Sequence, residues 1–568
     1  MENPESVKDN IQRNKKGLNI TLNLSLNFFR NVEEILDRRS PIIITCILSI
    51  ISVFSFYLYY KNGLGLAYND ARSHLDIGRR VVEGLKPGIA QLGSVWLPLP
   101  HILMTFTIWN DFMWHSGLAG AIVSMVSFVV TGLIIYKFLQ HLGVGLLGKY
   151  FGLFIFIANI NILYLQSTAM TELLLLASMT FASYELMMWH KNGNVLTLIK
   201  SAFLIMISTL IRYDGWFLLV WACVLVIIQT VMHGDTISKT KEKTKSILKR
   251  LQVAEGMFIL FATLAGFGIF LWLLWNLVIF KDPLYFAFGP FSAKVQQDQL
   301  QSAGVLQTKH NWWLSTKFYL FALMFNSNAF LVLVGLWGLI VMWVDKRLSN
   351  QIKLATTALL APLFFNIVAL YIGHSVLFIQ GLSGDTWFNV RYGIMLMPSI
   401  AIYIGFLIDR LKPFRLSIIG LILFTLFFAF ATKDAVTIDD ARVGSSQKNV
   451  TEVSGWLKQN AANKKGFILI SAASHDAIIF SSGLPMKRFI HEGTGLYWEN
   501  ATSLPDRWAR WIIMRTYDDK DSTWKLVKDS KGFARYTLVD HFPFADIYEI
   551  KPEYLGQLNY EPTLRNRP

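Results

Sequence analysis

The sequence predicts an all-α polytopic membrane bundle followed by a small α/β domain, and three observations carry that prediction. Only 16% of the 568 residues are charged and 53% are hydrophobic, whereas a soluble globular chain carries about 25% charged residues. Apolar runs near the length that crosses a bilayer core recur from residue 42 to residue 432. Beyond 432 the pattern changes to short β-like runs alternating with polar helical stretches. With 42 Phe, 20 Tyr and 18 Trp the chain also has far more apolar surface than a disordered protein.

Residues 1–41 form a polar leader, too long for a cleaved signal and with no small-residue cleavage site after the first apolar run. About eleven spans follow, at 42–60, 117–138, 147–164, 170–189, 196–211, 216–232, 255–280, 317–343, 354–373, 391–409 and 415–432. The turns at Gln166 and Arg212 are very short, so the boundaries of the spans they join are soft. Basic residues fix the predicted orientation. Lys239, Lys241, Lys243, Lys245, Lys249 and Arg250 crowd one loop, and Lys137, Lys149, His190, Lys191, Lys346, Arg347, Lys412 and Arg415 mark others. Counting spans puts all of them on the side of the N-terminus, which the positive-inside bias makes cytoplasmic. The chain is thus expected to be a multi-pass cell-membrane protein whose outer face receives 61–116, 281–316, 374–390 and everything after 432.

The predicted domains are the cytoplasmic segment 1–41, the transmembrane domain 42–432 with its first extracytoplasmic loop at 61–116, and an extracytoplasmic α/β domain at 433–568. In the last, Phe467–Ser471, Trp511–Met514, Tyr536–Val539 and Ile547–Ile550 read as strands and Val450–Gln459 as a helix. Cys46 and Cys223 both lie in apolar runs, which excludes a disulfide framework and a cysteine zinc site. The net charge of +15 fits loops facing anionic lipid and gives no reason to invoke nucleic acid.

Charged side chains at span ends are costly to place and so are functional candidates. Nearly all of them fall at the outer boundary. After the first span comes Tyr68-Asn69-Asp70-Ala71-Arg72-Ser73-His74, where Asp70 and His74 stand one helical turn apart and Arg72 points elsewhere. A Gly- and Pro-rich stretch with Trp96 then leads to a short apolar helix near His101, and Trp96 reads equally well as an interfacial anchor. Met170-Thr171-Glu172 opens a span, Arg212-Tyr213-Asp214-Gly215-Trp216 makes a tight reversal, and Arg391 starts another span. Structural accounts stand beside the functional ones: the helix dipole favours Glu172 in a first turn, and Arg212 and Asp214 can simply neutralise each other. His310 and His374 fall on the same face and read as packing residues. The arrangement predicts a pocket with one exposed carboxylate and several cations at headgroup depth, suited to a lipid phosphate held by arginine forks.

On these residues the sequence resembles the GT-C superfamily of membrane glycosyltransferases, in particular relatives of protein O-mannosyltransferases and the aminoarabinose transferase. Asp70 after the first span, the long first outer loop, Met-Thr-Glu at 170–172, Arg-Tyr-Asp-Gly-Trp at 212–216 and the outer C-terminal domain carry the likeness. The resemblance implies a GT-C bundle and transfer of a sugar, by inverting displacement, from a polyprenyl-phosphate donor to a protein, lipid or glycan acceptor. Many members pair two acidic residues in the first loop. Here Arg72 occupies the second position, so a metal-independent reaction without cofactors is expected. The candidate set is Asp70 as general base, with Arg72, His74, His101, Glu172, Arg212, Asp214 and Arg391 as substrate-binding residues. The competing readings are a transporter, which usually places charges near mid-bilayer and in inverted repeats, and a non-catalytic receptor, for which so many spans are an extravagant anchor.

Overall fold

The computed structural model describes residues 39–237, 247–289, 292–302, 304–443 and 447–563. Lys239, Lys241, Lys243, Lys245 and most of the 1–41 leader lie outside the described residues. The chain opens with α1 (Arg39–Lys61), a long apolar helix. The first loop then folds into short helices α2 (Asn69–Val82), α3 (Leu99–Met104) and α4 (Asp111–His115). The bundle continues with α5 (Leu118–His141), α6 (Leu146–Ile157), α7 (Ile160–Leu165), α8 (Glu172–Asn192), α9 (Val195–Thr209), α10 (Asp214–Ile237) and α11 (Ile247–Phe280). After the small helices α12 (Tyr285–Phe288) and α13 (Ala293–Ser302) come α14 (Trp312–Ser327) and α15 (Ala329–Val344). The last bundle helices are α16 (Asn350–Thr356), α17 (Ala361–Tyr371), α18 (Met397–Arg410) and α19 (Arg415–Thr432).

Among the described residues, seven helices are long and apolar enough to cross a membrane, or eight if a bent pair counts as one. The chain is a multi-pass membrane protein. Two of the differences from the eleven predicted spans have a physical cause in asparagine, while the run at 196–211 forms the 15-residue α9, shorter than a span. The run at 147–164 breaks because Asn159 turns its side chain to accept from the Ile162 N–H, capping α7 at 2.9 Å. The run at 317–343 breaks at Asn328, whose φ of 67° and cap on Phe330 N set α14 and α15 at 105°. Trp312 and Trp313, read as loop, begin α14.

Polar loops gather at the two ends of the bundle. At one end Lys191 donates to the His141 carbonyl and Asp409 accepts from Gly145 N–H. The other end carries α2–α4, the turns before α8 and α10, and the 3₁₀ helix Val390–Leu396. Against this end sit α20 (Val436–Val443) and a domain built from α21 (Gln447–Asn460), α22 (Ala472–Ser482) and a five-stranded sheet. The strands are β1 (Phe467–Ile470), β2 (Phe489–Ile490), β3 (Ala509–Met514), β4 (Tyr536–His541) and β5 (Asp546–Ile550), in order β2-β1-β3-β5-β4. β1 runs parallel to β2 and β3, while β5 is antiparallel to β3 and β4.

Strand alternation gives this sheet two buried faces. Ile468, Ile470, Trp511 and Ile513 join the apolar core that continues into the bundle, whereas Leu469, Ile512 and Met514 face a separate core. α22 packs on α2, and two hydrogen bonds fix the contact: Ser73 Oγ to Asp476 Oδ1 at 2.7 Å and Arg72 Nη1 to Ser481 Oγ at 3.2 Å.

Candidate active site

Asp70 lies in the first turn of α2, where the helix dipole favours a carboxylate. Arg391 reaches it from the 3₁₀ helix Val390–Leu396. That helix lies so close to α14 that a Cβ on Gly393 would come 2.2 Å from the Ala322 carbonyl, so glycine is required there. Asn326 of α14 further clasps it by donating to the Val390 carbonyl at 2.7 Å. Arg391 Nη2 then donates to Asp70 Oδ2 at 2.5 Å and its Nε to Glu172 Oε1 at 3.0 Å.

Glu172, fully buried at the start of α8, also receives Arg212. Arg212 Nη1 lies 3.3 Å from Glu172 Oε1 and 3.4 Å from Thr171 Oγ1, and Nε lies 3.3 Å from Asp214 Oδ2. The reversal holding Arg212 depends on Gly215, where a Cβ would meet the Ser208 backbone at 2.4 Å. The Tyr392 ring lies against both guanidinium groups, 4.9 Å from Arg212 and 5.3 Å from Arg391, and Tyr68 covers Arg391 at 5.1 Å.

The structure therefore brings Asp70, Glu172, Arg212, Asp214 and Arg391 into one cluster, although their partners lie as far as 321 residues apart in sequence. It adds Asp440, which the sequence reading missed. Asp440 Oδ2 stands 4.0 Å from Arg391 Nη1 and accepts from the Tyr68 hydroxyl at 3.2 Å. Its signal was slight, one acid among several just past the last predicted span.

One expectation needs enlarging and one is corrected. The expected pocket had one exposed carboxylate facing several cations; Asp70 is the exposed one, but four carboxylates in all surround the two arginines, so the cations are already engaged. Arg72, expected to bind substrate, points away; its Nε donates to the Leu66 carbonyl and its Nη1 to Ser481. Two residues after Asp70 on a helix is the opposite side.

Exposure separates the members. The Asp70 side chain is 41% exposed, Arg212 19%, Arg391 6% and Glu172 fully buried. Asp70 is thus the open carboxylate of the cluster, held by a buried cation. Nη2 of Arg212 makes no hydrogen bond among the described residues.

His74, one turn after Asp70, is buried and hydrogen-bonds through Nδ1 to Nε2 of the fully buried His101 at 2.8 Å. Burial, reinforced by Arg391 and Arg212, pushes His74 down to about 3, and burial also lowers His101. Both imidazoles are neutral at physiological pH, so His74 offers hydrogen bonds and not positive charge. Among the described residues, no three His, Cys, Asp or Glu side chains are placed to share a metal ion.

No family model matches the sequence, and no curated protein matches it. Solved structures do. ArnT from Cupriavidus metallidurans, bound to undecaprenyl phosphate, shares 10% identity with a TM-score of 0.51 over 88% of this chain and 98% of its own. The oligosaccharyltransferase AglB from Archaeoglobus fulgidus, in complex with an inhibitory peptide and a dolichol-phosphate, shares 11% identity with a TM-score of 0.46. That match spans 84% of this chain and 69% of AglB. At such identity the likeness to ArnT is one of fold, and that fold is the GT-C fold the sequence resemblance implied.

Proposed function

We propose that this chain is a glycosyltransferase that moves a sugar from a polyprenyl-phosphate-linked donor to an extracytoplasmic acceptor. One observation carries the reading: a half-open carboxylate, Asp70, is held at 2.5 Å by the buried Arg391 at the end of a GT-C bundle. That end faces outward and the N-terminus lies in the cytoplasm, in keeping with the basic loops at the opposite end. Support for the donor class comes from ArnT, whose structure holds undecaprenyl phosphate.

In the reaction, Asp70 takes the proton of an acceptor hydroxyl as its oxygen attacks the anomeric carbon. The bond from that carbon to the phosphate oxygen breaks, and polyprenyl phosphate departs with the electron pair. Inversion follows from a single displacement. The two arginines divide the work. Arg391, sealed between carboxylates, positions Asp70, while Arg212 turns its uncommitted Nη2 toward the leaving phosphate. A preorganised donor at such a site contributes roughly 10²–10³ in rate.

Reconstituted protein supplied with radiolabelled undecaprenyl-phosphoryl hexoses and cell-envelope acceptors tests the proposal. The labelled sugar is expected in a glycosidic product, and Asp70→Asn is expected to slow its formation about 10²–10⁴-fold while the donor still binds. Movement of label across the bilayer without a new glycosidic bond would make the chain a transporter.

A further inference from the structure

The segment from the end of α2 to the first residue of α3 is pinned at three points. Trp275 Nε1 donates to the Gly93 carbonyl at 3.1 Å, the Tyr213 hydroxyl to the Val95 carbonyl at 3.4 Å, and Leu99 N–H to the Leu210 carbonyl at 3.1 Å. The last two ties run to the same turn that carries Arg212. They hold the half-buried Trp96 with its ring 4.4 Å from the His74 ring and 6.4 Å from His101. Trp96 thus packs on a polar pair at the edge of the cluster, which an interfacial lipid anchor does not need.

His74 Nδ1 and His101 Nε2 share one hydrogen bond at 2.8 Å, so each neutral ring has its other nitrogen outside the pair: Nδ1 of His101, buried without a hydrogen bond among the described residues, and Nε2 of His74. No protein group satisfies that last nitrogen among the described residues. His74 lies one helical turn after Asp70, the carboxylate that pairs with Arg391.

We propose that Trp96 and His74 form the sugar wall of the donor site and select an uncharged hexopyranose, its apolar ring face on Trp96 and one hydroxyl hydrogen-bonded to His74 Nε2. This rests on the glycosyltransferase reading and deepens it. Aromatic faces suit the CH surface of a pyranose, and a neutral imidazole nitrogen suits a hydroxyl. His74 stands one helical turn after Asp70, and Val95, next to Trp96, is tied to Tyr213, next to Arg212, so the wall adjoins both the base and the arginine proposed to meet the phosphate. Four carboxylates against two arginines make the site hostile to an acidic sugar.

The test is equilibrium binding to the full chain in nanodiscs. The probes are undecaprenyl phosphate, its mannosyl, glucosyl and galactosyl derivatives, and a galacturonosyl derivative. Wild type is expected to bind at least one neutral hexosyl lipid about tenfold more tightly than bare undecaprenyl phosphate, and the galacturonosyl lipid no better than the bare lipid. Trp96→Ala should erase that tenfold preference and change binding of the bare lipid less than twofold, and Trp96→Phe should restore most of it. His74→Ala should also lose the preference. Equal weakening of bare and glycosylated lipids by Trp96→Ala would show an anchor and overturn the proposal, as would wild-type binding indifferent to the hexose. Because the readout is binding, a wild-type chain that shows no sugar preference yet still transfers sugar sinks the wall alone. A retained preference without any glycosidic product sinks the enzyme reading.

Discussion

The two ends of the bundle both place arginines among carboxylates, and they do so to different effect. At the basic-loop end, Arg410 donates to Asp345 at 2.7 Å and to Asp409, while Arg347 pairs with Asp345 at 3.1 Å. Two cations meet two anions there, and Asp409 also accepts from Gly145 N–H, so the network ties α15, α18 and the start of α6 together. At the opposite end, four carboxylates meet two arginines, Glu172 Oε2 and Asp214 Oδ1 are buried without hydrogen bonds among the described residues, and Asp70 stands 41% exposed. A balanced, saturated network is what a clasp requires. An unbalanced one with an open acid fits the proposed reaction, because buried, uncompensated polar groups cost about 1–3 kcal/mol each and persist only where something offsets them.

The comparison breaks most sharply at Arg391. Arg391→Lys keeps the positive charge and removes the fork that touches Asp70 and Glu172 together. Transfer to acceptor should fall roughly 10²–10³-fold, with donor binding reduced far less. The check is single-turnover kinetics beside equilibrium binding of the same lipid. If lysine supported wild-type turnover, charge alone would suffice and the positioning role of the fork would be wrong.

Much of this end was legible in the sequence. Asp70, Glu172, Arg212, Asp214 and Arg391 stand out because ionised groups at the margins of apolar runs need a reason to be there. Their pairing was not legible, since Arg391 meets Asp70 across 321 residues and Glu172 across 219. Asp440 escaped because it sits in a polar segment where another acid attracts no notice. The fold was legible wherever apolar runs were unbroken. It was not at Asn159 and Asn328, each of which reads as one tolerated polar residue until its cap on the next helix is seen. The short strand β2 was missed because two residues carry no periodicity.

A second, smaller effect concerns pH. His74 and His101 are depressed in the folded chain but return to about 6.5 when unfolded. The unfolded state therefore binds more protons below that value, and stability must fall as pH drops from about 6.5 toward the folded value of about 3 for His74. Each imidazole contributes up to roughly 1.4 kcal/mol per pH unit in that window. Melting temperature followed from pH 7.5 to 5 should decline, and His74→Asn should flatten the slope by about one proton. An unchanged slope would mean the pair is already protonated in the folded protein, contrary to its burial.

The smallest expected effect lies at the opposite end and sharpens the contrast. Asp345 accepts from Arg410, whose side chain is 10% exposed, and from Arg347, which is 67% exposed. Solvent screens the Arg347 pair, so it adds little. The Arg410 contact is the better shielded, and Asp345→Asn keeps the shape while weakening a charge-assisted hydrogen bond worth roughly 1.5–3 kcal/mol, part of which the amide oxygen retains. Thermal unfolding should therefore shift by about 1 kcal/mol, whereas transfer per folded molecule and donor affinity stay at wild type. Were transfer to fall tenfold with folding intact, the clasp would have to communicate with the cluster at the far end of α18, and the division between a structural and a reactive end would fail.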